Sequence, residues 1–267
     1  MIPKMIHYCW ISKEVGNNLP QNVQECIKTW RKYLPDYEII EWNQNNFDLN
    51  ISSFVKEAYE KKKYAFVADY IRLYVLYNYG GIYLDTDVKV LKSFDDLLNN
   101  KAFICFEGDD AIASSTIGAE KNNYLIECLL EYYNNRHFIN SNGKLDMVPN
   151  TTIFANIFKD KGFIINNQFQ QNEYITVYPR EYFSPRSSIT GEINITPNTY
   201  AIHLFNSSWI PEKIRKRDDL YKELYKLYKK RYPQKLAHWL AKFVATLKVE
   251  GIKGLKNRAL KREFFDE

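Results

Sequence analysis

A chain of 267 residues, 45% of them hydrophobic, is long enough to bury a sizeable core as one large domain or as a domain with an appendage. Its formal charge of +5 is modest and its basic residues are local and without a binding motif, which excludes nucleic acid as the expected partner. No run approaches the roughly eighteen apolar residues of a membrane span and no charged-then-apolar leader opens the chain, so the expectation is a cytoplasmic protein. Cys9, Cys26, Cys105 and Cys128 form no C-x-x-C pair and sit in apolar segments, which predicts buried, reduced thiols rather than disulfides or a zinc site.

In chain order, Lys4 to Trp10 reads as a buried strand, Pro20 to Tyr33 as a helix led by its proline, and Tyr37 to Trp42 as a second strand. Helical structure over Phe54 to Tyr59 leads into a helix from Tyr64 to Tyr79, where Val67, Ile71, Tyr74 and Val75 recur at spacings of three and four. Gly80 and Gly81 supply the dihedrals that stop it. Ile82 and Leu84 then alternate with Tyr83 and Asp85, so an extended strand puts Tyr83, Asp85 and Asp87 on one side. Ala102 to Phe106 and Ala111 to Gly118 read as further strands, and Asn123 to Tyr133 as a helix. Such alternation implies an α/β sheet, which binds ligands beyond the C-terminal ends of its strands. Trp10 and Asp85 both lie at such ends.

Charge is uneven along the chain. Residues 210–267 carry 12 Lys and 5 Arg against 8 acidic residues, a net +9 that leaves −4 for the first 209. Leu236, Trp239, Leu240, Phe243, Val244 and Leu247 recur there at helical spacing among Lys235, Lys242 and Lys248. A basic amphipathic helix of this kind lies either on an anionic membrane surface or against its own domain with a solvated lysine face.

The chemistry centres on Asp85-Thr86-Asp87. Paired carboxylates repel unless a proton or cation separates them, and oxygen donors suit magnesium or manganese. A strand running into a solvated polar turn is the plain alternative. Asp69 and Arg72, three apart on a helix, read alone as a surface ion pair. The strand end also fits the D-x-D-x-[TV] pattern of haloacid-dehalogenase-like phosphatases, with Asp85 as nucleophile and Asp87 as general acid. That fold needs a second acidic motif far downstream, however, and Gly108-Asp109-Asp110 comes too soon. An EF-hand fails, since the loop lacks its glycine and has Val90 and Leu91 where ligands or turn residues belong.

Taken together, Ile2-Pro3-Lys4-Met5-Ile6-His7-Tyr8-Cys9-Trp10, Ala68-Asp69-Tyr70-Ile71-Arg72 and Gly80-Gly81-Ile82-Tyr83-Leu84-Asp85-Thr86-Asp87 resemble the DXD-containing sugar transferases of glycosyltransferase family 32. These are similar in turn to the catalytic domains of clostridial glucosylating toxins. The resemblance covers roughly residues 1 to 210 and fades beyond Trp209. It implies a GT-A-like (Rossmann-like) mixed sheet flanked by helices over residues 1–210, with 211–267 as a basic helical extension.

It also implies residue roles. Trp10 stacks on the nucleotide base, Asp69 and Arg72 contact the donor sugar, Tyr83 lies beside the nucleotide, and Asp85 and Asp87 hold Mn2+ or Mg2+ on the diphosphate of a UDP-sugar. Ala201-Ile202-His203-Leu204-Phe205-Asn206-Ser207-Ser208-Trp209 resembles the closing segment of related transferases, where a His or Ser completes the metal shell and a Trp covers the diphosphate. His203 is the favoured third ligand, with Ser207 the alternative, and Trp209 is the covering ring. Ser114, Ser115 and Thr116, with Pro149-Asn150-Thr151-Thr152, are candidate sugar-hydroxyl and acceptor contacts or plain turns. The expected activity is retaining transfer of a hexose (galactose or glucose) or N-acetylhexosamine to a hydroxyl of a bacterial surface glycan, capsule or lipopolysaccharide O-antigen, or of a lipid-linked oligosaccharide. A sugar-nucleotide-binding module without catalysis is the non-enzymatic alternative.

Overall fold

The computed structural model describes residues 1–12, 19–108, 111–187, 190–205 and 212–260. They form two units, one of Met1–Arg186 with Ile193–Leu204 and the other of Ser187–Glu192 with Phe205–Glu267.

In the first unit the strands are β1 (Met5–Cys9), β2 (Glu38–Trp42), β3 (Gly81–Leu84), β4 (Val88–Val90), β5 (Ala102–Cys105), β6 (Thr116–Ala119), β7 (Gln170–Gln171), β8 (Thr176–Tyr178) and β9 (Ala201–His203). The helices are α1 (Gln21–Tyr33), α2 (Ser53–Glu60), α3 (Tyr64–Tyr79), α4 (Tyr124–Glu131) and α5 (Asn150–Asp160). Seven strands make one sheet in the order β2-β1-β3-β6-β5-β8-β7, while β4 and β9 pair antiparallel apart from it. Within the large sheet β1 runs parallel to β2 and β3, whereas β6 runs antiparallel to β3 and β5, so the sheet is mixed and flanked by helices as expected.

Both faces of the central strands are covered, which is why they read as near-continuous apolar runs. Ile82 and Leu84 of β3 pack with Val23, Ile27 and Trp30 of α1, while Tyr83 between them packs with Val67 and Ile71 of α3. The α1 residues Val23, Cys26, Ile27 and Trp30 form its buried stripe, and the Trp30 indole donates to the Val88 carbonyl at 2.7 Å. Ser52 caps α2 by accepting from the Val55 amide, and Asn123, expected as the first helical residue, instead caps α4. The strand expected over 111–118 forms as Thr116–Ala119, and ahead of it Ile112 makes an isolated antiparallel bridge to Phe106. Cys9, Cys26 and Cys105 are buried free thiols, but Cys128 is half-buried.

The junction of α3 and β3 places the site. Gly80 and Gly81 take φ of 71° and 102°, and the His7 ring on β1 lies against them. His7 is fully buried, which lowers its pKa and keeps the imidazole neutral. Its Nδ1 accepts from the Trp42 indole at 3.1 Å, which leaves Nε2 to donate to the Gly80 carbonyl at 2.8 Å. One side chain thus ties β1, β2 and the helix end together.

The second unit contains α6 (Glu212–Tyr228) and α7 (Gln234–Leu260), the latter broken at Gly251, where φ is 72°. The two helices pair, with Tyr225 packed on Ala237 and Ala241, and the Tyr221 hydroxyl 2.6 Å from His238 Nδ1. Among the described residues no helix is long and apolar enough to cross a membrane.

An added methyl at Gly81 would lie 2.8 Å from the Met5 carbonyl oxygen and 3.0 Å from His7 Nε2, at a φ that L-residues avoid. Gly81→Ala should therefore lower unfolding free energy by about 1–3 kcal/mol in urea titration.

Candidate functional site

Strands β1 and β3 are parallel neighbours, so Trp10 and Asp85, each one residue past a strand end, share one edge of the sheet. Trp10 is half-buried there and takes the Trp42 carbonyl with its backbone amide at 2.9 Å. At Asp85 the chain leaves the extended conformation. The Asp85 amide donates to Ser115 O at 2.8 Å, and the Val88 amide closes back on Asp85 O at 3.0 Å. The expectation that Tyr83, Asp85 and Asp87 share one face of an extended strand is thus corrected, because a turn rather than strand alternation brings the carboxylates together. From that turn β4 pairs Val88 with His203 of β9, and the Leu204 amide donates to the Asp87 carbonyl at 3.0 Å.

One ligand atom each from Asp85, Asp87 and His203 lies within 4.8 Å of the others. His203 Nε2 is 3.4 Å from Asp87 Oδ1, while Nδ1 faces Glu107 Oε2 at 3.7 Å. Burial disfavours an imidazolium here, yet the Asp87 and Glu107 carboxylates outweigh it and raise the His203 pKa to about 10. Burial also raises Asp85, with Asp87 adding to the effect and Arg72 and His203 opposing it. Two half-buried carboxylates that disfavour each other's ionisation, beside one imidazole nitrogen, are a donor set that fits Mn2+ or Mg2+. Ser207 and Trp209, the other expected members, lie outside the described residues.

Behind the turn sits Arg72, only 4% exposed. Its Nη2 is 2.9 Å from Asp85 Oδ1, its Nη1 is 3.3 Å from Asp69 Oδ1, and its guanidinium lies 4.8 Å over the Tyr83 ring. Reading Asp69 and Arg72 as a surface ion pair therefore fails, because α3 turns that face onto the sheet. Tyr83, expected beside the nucleotide, is 1% exposed and supports the guanidinium from below. Asp69 in turn accepts from Asn150 Nδ2 at 2.6 Å, and the Asn150 carbonyl oxygen accepts from Ser114 Oγ at 3.1 Å. A polar chain thus runs Ser114, Asn150, Asp69, Arg72, Asp85. Of the other candidates, Ser115 and Thr116 are buried, while Thr151 and Thr152 continue into α5. Glu107 was missed, although its position just past β5 was the signal that could have found it.

These observations define a carboxylate and imidazole cluster at the C-terminal edge of an α/β sheet, and residues 20–104 match the family described as "glycosyltransferase sugar-binding region containing DXD motif". Asp85-Thr86-Asp87 is the DXD sequence within that match. Among curated proteins it is 31% identical over 124 residues to inositol phosphoceramide mannosyltransferase 3 of Schizosaccharomyces pombe, covering 45% of this chain and 34% of that one. It is 28% identical over 150 residues to mannosyl phosphorylinositol ceramide synthase SUR1 of Saccharomyces cerevisiae, covering 52% and 37%. The aligned part is about a third of the length of those relatives. Among solved structures, the apo-form glycosyltransferase GlyE of Streptococcus pneumoniae aligns over 79% of this chain and 55% of its own at 12% identity and a TM-score of 0.45. The phosphatase alternative leaves the Arg72 link between Asp69 and Asp85 without a role.

Two titrations test this geometry. Burial, reinforced by Asp85 and opposed by Arg72 and Asn150, lifts Asp69 from 3.8 to about 7, so between these values the folded state holds a proton that the unfolded chain has lost. Stability falls across that window as pH rises, by up to about 1.4 kcal/mol per unit. In Asp69→Asn this slope should become shallower, with the raised Asp85 carboxyl keeping the remainder, as urea unfolding at about pH 4.5 and about pH 6.5 would measure. A cation that took the His203 nitrogen would have to displace its proton, so Mn2+ affinity by calorimetry should rise about tenfold per unit between about pH 6 and 8. His203→Gln should flatten that rise.

Proposed function

We propose that the protein is a metal-dependent, retaining glycosyltransferase that moves a hexose or N-acetylhexosamine from a UDP-sugar to a hydroxyl of a growing glycan or lipid-linked oligosaccharide. The supporting observation is the convergence of Asp85, Asp87 and His203 at the strand edge beside Trp10, within a matched DXD region. Mannose belongs among the candidate hexoses, given the names of the relatives.

Each side chain then has a physical task. Asp85, Asp87 and His203 would hold Mn2+ or Mg2+, which would supply charge neutralisation for a diphosphate leaving group. Arg72 fixes the Asp85 carboxylate while carrying positive charge behind it, and Tyr83 shields that cation from water. Asp69, midway along the polar chain, presents a carboxyl for sugar hydroxyls. Trp10 offers a ring face to the base on the same strand edge. With no side chain positioned as a covalent nucleophile among the described residues, attack by the acceptor hydroxyl on the face the diphosphate leaves is the preferred route to retention.

The test is a screen of UDP- and GDP-sugars for Mn2+-dependent hydrolysis and transfer. Asp87→Asn should lose about 100-fold or more of that turnover with the fold retained by circular dichroism. Unchanged turnover in the variant would rule out this site.

A further inference from the structure

We propose that the first part of α7 is an anionic-membrane docking face, distinct from the sugar-nucleotide site. The helix has two opposed sides. Ala237, Ala241 and Ala245, spaced by four, are fully buried, and the first two pack on Tyr225 of α6. Leu236, Trp239, Leu240, Phe243 and Leu247 recur at spacings of three and four on the other side. Leu236, Trp239 and Leu247 are 44%, 38% and 40% exposed, and the rings of Trp239 and Phe243 stack at 5.3 Å. Packing on α6 therefore uses the small residues and leaves Leu236, Trp239 and Leu247 exposed with Leu240 and Phe243 half-buried, the reverse of what a helix serving only its own hairpin requires.

Charge selects the occupant. At 100° per residue, Lys235 and Lys242 fall on one flank of the apolar ridge, while Lys248, exposed one turn beyond Ala245, falls on the alanine side. From Gln234 to Lys256 there are five lysines against Glu250 alone. Glu250 is held by Arg217 and Arg258 at 2.9 and 3.0 Å, whereas none of the five lysines pairs with a carboxylate among the described residues. An apolar ridge with an amphipathic tryptophan, bordered along one flank by uncompensated cations, matches an acyl boundary beneath anionic headgroups. A second copy of the chain would bring the same lysines together and repel.

The test is co-sedimentation of the full chain with phosphatidylcholine vesicles and with phosphatidylcholine vesicles containing phosphatidylglycerol. The wild type should bind the anionic vesicles, and weaken as salt rises. Trp239→Ser/Leu247→Ser and Lys235→Gln/Lys242→Gln/Lys248→Gln should each weaken binding about tenfold or more. Donor hydrolysis in solution should remain unchanged, which separates this face from the sugar-nucleotide site and reports an intact fold. Absence of binding to anionic vesicles, or equal binding by wild type and both variants, would overturn the proposal. So would concentration-dependent self-association that the Trp239→Ser/Leu247→Ser pair abolishes, since the ridge would then be an interface between copies.

Discussion

The guanidinium of Arg72 is buried between Asp69 and Asp85, and the geometry around it only exists because α3 stops where it does. A charge taken out of water is costly unless it is paired at close range, so once Arg72 is inside, both carboxylates are constrained to meet it. Arginine suits this position because its planar fork reaches two partners at once and remains charged, while a lysine would offer a single point charge. The Tyr83 ring closes the space beneath the guanidinium, and Asn150 and Ser114 carry the constraint outward to α5 and the approach to β6. The position of Asp85 is therefore set by a network on three elements.

The turn from Asp85 to Val88 then does the work that strand alternation was expected to do. By leaving the large sheet, the chain carries Asp87 to β4, where pairing with β9 supplies His203. The fate of the His203 proton follows from this arrangement. Carboxylates on both sides of the ring favour the imidazolium, and a cation that takes the same nitrogen competes with that proton. Glu107 stands beyond the ring from Asp87, so it bears on both the orientation and the protonation of the imidazole.

Much of the frame was legible because local signals agreed. Gly80-Gly81 after an apolar helical repeat marked the end of α3, Pro20 marked the start of α1, and alternation in Ile82 to Asp85 marked β3. The failures have physical causes. Ala111 to Gly118 reads as one apolar strand, yet its pairing is interrupted: Ile112 bridges Phe106, and only Thr116–Ala119 lies in the sheet against β3 and β5. Asp69 and Arg72 looked like a surface pair because three-residue spacing shows that two side chains share a face without showing what that face meets. Asn150 read as a candidate sugar or acceptor contact or part of a polar turn, because no local pattern reveals that its amide reaches Asp69.

By itself the sequence determined the alternation of helices and strands, the placement of Trp10 and Asp85 at strand ends, the DXD triplet, and the basic, amphipathic character of the C-terminal helix. These depend on periodicity and residue chemistry over a few positions, which the chain carries locally. Tertiary structure decided that Arg72 is interior, that a turn converges the carboxylates, that Glu107 faces His203, and that α7 turns its alanines inward and its tryptophan outward. Those outcomes depend on burial and on contacts between distant segments, where desolvation and packing outweigh what any local stretch prefers.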